Sequence, residues 1–112
     1  MPTKFVYVEK VFRTDADRQY GLMNDDHPLS PSGVALFDFT DDQRPMHMWM
    51  KNTLVPLDMI FLDESYVVLG VHRNAIPLDV TPIYAPQSTC IILEALAGYI
   101  DTHSIKRNDS IA

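Results

Sequence analysis

The chain has 112 residues, a formal net charge of −6, 46% apolar residues and 21% charged residues. That length and apolar content suit a single domain able to close its own core, and they exclude a disordered chain. The acidic balance argues against a nucleic-acid or anionic-membrane partner, the lone Cys90 excludes an internal disulfide and a thiolate zinc site, and no apolar run is long enough to span a membrane.

Residues 4–12 (KFVYVEKVF) alternate with β-branched and aromatic side chains and read as a strand. Thr14 then offers a helix N-cap, with Asp15 and Asp17 in the first turn and Asp17 at capping-box spacing. The helix should run to about Leu22 or Met23. Residues 24–32 (NDDHPLSPS) form a loop, 33–39 (GVALFDF) a second strand, and 40–45 (TDDQRP) a turn. Residues 46–51 read as a strand, 51–56 as a turn, and 57–62 as a strand interrupted by Asp58, the whole forming a hairpin. Residues 67–72 (VVLGVH) make a further strand. Three prolines, Pro77, Pro82 and Pro86, keep 75–86 extended, at an edge or over an opening. A buried strand over 89–95 (TCIILEA), one or two helical turns over 98–104 and a short pairing segment at 109–111 complete the chain. The expected fold is α+β and β-rich: a curled antiparallel or mixed sheet, or a partly open small β-barrel, with one main α-helix near the N-terminus.

The segment 46–63, MHMWMKNTLVPLDMIFLD, organises this pattern. On a strand, Met46, Met48 and Met50 point to one face and His47, Trp49 and Lys51 to the other. The thioethers suit a core. The opposite row offers an imidazole, an indole and an ammonium, and it is the candidate functional face.

The run Trp49-Met50-Lys51-Asn52-Thr53, with Pro56-Leu57-Asp58 and Phe61, resembles the hallmark of the domain-of-unknown-function 192 family. Arg18 with Gly21-Leu22-Met23, then Leu29, Gly33 and Phe37, fit the same family. So do Val68 to His72, Leu93-Glu94, Ala97-Gly98 and Ile105 to Ile111, so the resemblance covers almost the whole chain. It implies a small β-rich α+β fold and no established activity; many relatives carry an export signal. This chain departs from the pattern at Met48, where an aromatic residue is usual, and at Tyr66 and Asn108, where glycine is usual.

Lys51, Asn52 and Asp58 are the leading polar candidates, with Trp49 as an apolar wall and Arg18 as an anion-binding or ion-pairing cation. The bland alternative gives Asn52 and Thr53 to the turn backbone and pairs Lys51 with Asp58 across the hairpin. Arg18 could equally pair with Asp58 or Glu94. His27, His47, His72 and His103 lack metal-site spacing, so neither a metal nor a cofactor is expected. No nucleophile is marked for catalysis. The sequence therefore favours a non-enzymatic binding or accessory module whose Trp49/Lys51/Asn52 face takes a small anionic ligand or a protein partner. The alternative is a subunit of a homo-oligomer or larger assembly, such as a phage or cell-surface particle; a small hydrolase-like enzyme ranks last. With no apolar leader in the sequence, the chain reads as cytoplasmic as given, or as a virion component or mature exported form.

Overall fold

The computed structural model describes residues 3–41 and 46–112. In chain order its elements are β1 (Thr3–Lys4), β2 (Tyr7–Phe12), α1 (Asp15–Tyr20), β3 (Gly33–Asp38), β4 (His47–Met48), β5 (Leu57–Leu62), β6 (Val68–Ala75), β7 (Ile83–Tyr84), β8 (Ile91–Leu96), α2 (Tyr99–Thr102) and β9 (Ser110–Ile111). Five strands form a mixed sheet in the order β2-β3-β8-β5-β6, accompanied by two short pairs, β1-β9 and β4-β7. The sheet curls but does not close, since β2 and β6 remain its separate edges. β2 and β3 run parallel, with α1 in the connection between them, and the other pairings in the sheet are antiparallel.

Local chemistry places α1. The Thr14 hydroxyl accepts from the Asp17 N–H at 3.1 Å, as its spacing predicts, and Asp15 and Asp17 occupy the first turn. The helix ends earlier than expected, because Gly21 takes φ +51° and its N–H bonds back to the Asp17 carbonyl. A Cβ at Gly21 would lie 3.2 Å from the Phe37 ring, so glycine serves both the turn and the close approach of α1 to β3.

The central strands bury both faces. β5 is buried throughout, and β8 from Ile91 to Ala95, because each face of the sheet carries its own core. One face holds Ala35, Phe37, Leu57, Met59, Phe61 and Ile92, together with Leu22, Met48 and Met50. The other holds Val34, Ile60, Leu62, Leu93 and Ala95 against Tyr99, Ile100 and Ile105. Alternate residues of β3, β5 and β8 supply the two cores, as the two-residue strand period requires.

Two expectations of strand pairing need correction. Residues 46–62 do not form a hairpin. β4 pairs with β7 in the proline-rich segment, while β5 lies between β6 and β8. Pro82 and Pro86 bracket β7, and proline cannot donate to a ladder, which keeps the β4–β7 pairing to two residues. The first strand is split, with β1 turning to pair in parallel with β9. The helical turn expected over 98–104 is present as α2. The turn expected at 40–45 lies outside the described residues from 42 onward.

Candidate functional site

The Met46–Lys51 stretch presents the faces its alternation implies even though it is scarcely a strand. Met48 and Met50 are buried, His47 and Lys51 are exposed, and Trp49 is 39% exposed. Two backbone bonds dock the proline-rich segment beside it: Met50 N–H to the Asp79 carbonyl at 2.8 Å, and Leu78 N–H to the Thr53 carbonyl at 3.0 Å. The Lys51 ammonium lies 5.2 Å from the centre of the Trp49 ring.

Between this stretch, α1 and the sheet lies a cleft of about 440 Å³. Phe37, Phe39, Met46, Met48 and Trp49 wall it, and Arg18 comes to it from α1. The Arg18 side chain is 6% exposed and heavily engaged. Its guanidinium donates to Asp15 at 2.6 Å, to the Asp38 carbonyl at 2.7 Å, to Asp41 at 3.4 Å and to the Arg13 carbonyl, and it stacks over Phe39 at 4.8 Å. Among the described residues it pairs with neither Asp58 nor Glu94. It braces one wall of the cleft against the end of β3.

Glu94 also lines the cleft. It sits on β8 between Ile92 and Leu96, with Ala35 of β3 and Met59 of β5 directly opposite on the neighbouring strands. The residue is 4% exposed, and among the described residues no group donates a hydrogen bond to its carboxyl. Burial lifts its pKa from the ordinary 4.5 to about 8, because a carboxylate there would lose water without gaining a donor from the described residues. Glu94 is the residue whose importance the sequence understated. The signal was an acid inside the apolar run 90–96, on a strand already expected to be buried.

The structure separates the predicted site residues. Trp49 and Arg18 meet at the cleft. Lys51 stands over the outer ring face of Trp49, and Asn52 forms the adjoining turn with φ +53°, its carbonyl accepting from Asn24 N–H at 2.8 Å. Asp58 belongs to the opposite face of the sheet. It is 1% exposed, and its carboxylate accepts from the N–H groups of Asn74 at 3.0 Å, Gly98 at 3.1 Å and Ile100 at 2.9 Å. It thereby fills the irregularity where β6 runs past β5 and caps the start of α2. Among the described residues Lys51 makes no ion pair with Asp58, because the expected hairpin that would have joined them does not exist.

No group of three or more His, Cys, Asp or Glu residues able to hold a metal ion occurs among the described residues. The Cys90 thiol is pushed up by burial and by the charges of Glu64, Asp63 and Asp38, which disfavours the nucleophilic thiolate. No helix among the described residues is long and apolar enough to cross a membrane.

Two solved structures share this architecture. A protein of unknown function from Novosphingobium aromaticivorans is 31% identical, with a TM-score of 0.85 over 92% of this chain and 73% of its own. A protein from Sinorhizobium meliloti, named a "putative transcription regulator", is 33% identical, with a TM-score of 0.85 over 92% of this chain and 78% of its own. No curated protein matches. The sequence profile of the family described as Uncharacterized ACR matches residues 4–112, so the chain belongs to that family, domain of unknown function 192.

Proposed function

We propose that the chain is a single-domain binding module that receives a small, largely apolar molecule in the cleft beneath Trp49. One observation carries the reading. Glu94 is a buried carboxyl lining a cleft walled by aromatic rings and thioethers, without a donor from the described residues. A buried polar group costs stability unless it is paired, and a ligand is one way to pair it. A mainly apolar hollow with a few convergent polar groups is also the usual form of a small-molecule site. Trp49 and Arg18 shape the walls, and Lys51 and Asn52 stand at the outer rim, where a protein partner or an anionic group of the ligand would meet them. A net charge of −6 speaks against nucleic acid as that ligand, so the name given to the Sinorhizobium meliloti structure is not carried over.

The test is a thermal-shift screen with aromatic and aliphatic amines, alcohols and carboxylates. A ligand at a hundred times its dissociation constant should stabilise the fold by about 2.7 kcal/mol, and a domain of this size registers that as a shift of roughly 10 °C. Trp49→Ala should fold, since the indole is part-exposed, and should lose the shift. A shift that persists in Trp49→Ala would place the ligand elsewhere and sink the reading.

A second reading, a subunit of a homo-oligomer or assembly, has its own support at the sheet edge. β2 is an edge strand that leaves Tyr7, Val8 and Val11 exposed, and unpaired edges invite strand addition.

A further inference from the structure

We propose that the cleft selects a small organic cation, an ammonium group carried on an aromatic or alkyl body, with Glu94 as its counter-ion. The inference rests on the binding reading above and narrows it to one charge class. The walls and the charges of the cleft point the same way. Its body is apolar, so the bulk of the guest must be too. Its aromatic walls, Phe37, Phe39 and Trp49, offer ring faces that attract cations, and two of those rings already hold one: Arg18 over Phe39 and Lys51 over Trp49. Among the described residues that line the cleft, Arg18 is committed to Asp15, Asp41 and two backbone carbonyls, so it offers little to an anion.

From α1 the cleft receives Asp15, Arg18 and Tyr20; from β4 it receives His47. The neighbours of Glu94 on β3 and β5 are Ala35 and Met59, neither charged. An ammonium entering this space would find a buried acid with no competing donor from the described residues. An anion would meet the same acid, and among the described residues the cation at hand, Arg18, is already engaged.

The chemistry requires one proton to leave. Glu94 must ionise to pair with an ammonium, so binding should release its proton to solvent and tighten as pH rises. With the carboxyl held near 8, affinity for a cation should climb about tenfold per pH unit from pH 6 to 8 and level off above it. A ligand that accepts a hydrogen bond from neutral Glu94 would show the opposite trend.

The experiment titrates the full chain with 2-phenylethylamine, 2-phenylethanol and 3-phenylpropionate at pH 6, 7, 8 and 9. It follows the fluorescence of Trp49, the only tryptophan in the chain and a wall of the cleft. The expected result is that the amine binds with the rising profile and binds best of the three. In Glu94→Gln, which keeps the shape of the side chain, amine affinity should fall at least tenfold at pH 8 and lose the Glu94-linked rise. Tighter binding of the alcohol or the carboxylate, weakening as pH rises, would overturn the cation assignment and leave the binding reading standing, with neutral Glu94 as the donor. No response to any of the three would overturn both.

Discussion

Replacing Glu94 with glutamine should stabilise the protein, and the gain should grow with pH. The folded-state pKa of about 8 lies above the ordinary 4.5, so the folded state holds this proton more tightly than the unfolded chain does. The stability associated with the neutral carboxyl is therefore complete below about pH 4.5. It is lost progressively as pH rises through 8, because the unfolded chain ionises first and is favoured. Each unit of separation is worth about 1.4 kcal/mol, so the full window corresponds to a penalty on the order of 3–5 kcal/mol at pH 8 to 9. Glutamine has no such titration. Urea unfolding of the two proteins at pH 5 and pH 8.5 should give nearly equal stabilities at the lower pH and a clear advantage for Glu94→Gln at the higher. Parallel pH profiles would show that the carboxyl is not held neutral in the folded state, and the upward shift assigned to Glu94 would be wrong.

Asp58→Ala should have an effect of similar size and opposite sign at neutral pH. Three backbone N–H groups converge on this carboxylate, and removing it leaves them unsatisfied in an environment where Asp58 itself is 1% exposed. A loss of about 3–5 kcal/mol is expected from a buried, charge-assisted cluster of this kind. That would lower the urea midpoint by roughly 2 M for a typical slope. Asp58→Asn keeps an acceptor oxygen but turns an amide towards an N–H, so it should fall between alanine and the parent. If alanine left the midpoint unchanged, Asp58 would not be the clasp described here, and a role in ligand binding would return to consideration. The two variants together separate the two faces of the sheet: one acid that destabilises the fold and one that holds it.

What the sequence made legible was mostly local. The Thr14 cap needs only a hydroxyl three residues before an N–H, and the structure has it. The inward Met48 and Met50 and the outward Trp49 and Lys51 follow from a two-residue period that holds even though the β4–β7 pairing spans only two residues. The β-rich α+β class and the family motif were readable for the same reason, because they rest on residue types in fixed order. What escaped was pairing at a distance. The prediction of a hairpin at 46–62 followed the rule that neighbouring strands join. The proline-rich segment instead supplies a partner for β4, and β5 is claimed by β6 and β8. Asp58 interrupts an apolar run and reads from the sequence as a polar site candidate, but two of its three donors come from 40 and 42 residues further along the chain. Glu94 carried the same kind of signal, with the opposite outcome: it found no donor among the described residues. Sequence spacing cannot tell which buried acid will meet converging backbone donors, since those are contributed by other elements.

The parallel contact of β1 with β9 brings the two ends of the described chain into one ladder. Thr3 lies opposite Ser110 and Lys4 opposite Ile111, while Ala112 exchanges hydrogen bonds with Lys4 and Val6. The polypeptide path is in effect a ring with a gap in it. A short linker across that gap, with new ends opened in the exposed loop around Asp25 and Asp26, would preserve the order of the five-stranded sheet and leave both the Asp58 clasp and the cleft of Glu94 intact. Such a circular permutant moves the ends of the described chain while keeping the strand order, so the choice of where the ring is cut decides where a reporter or a surface tether is attached.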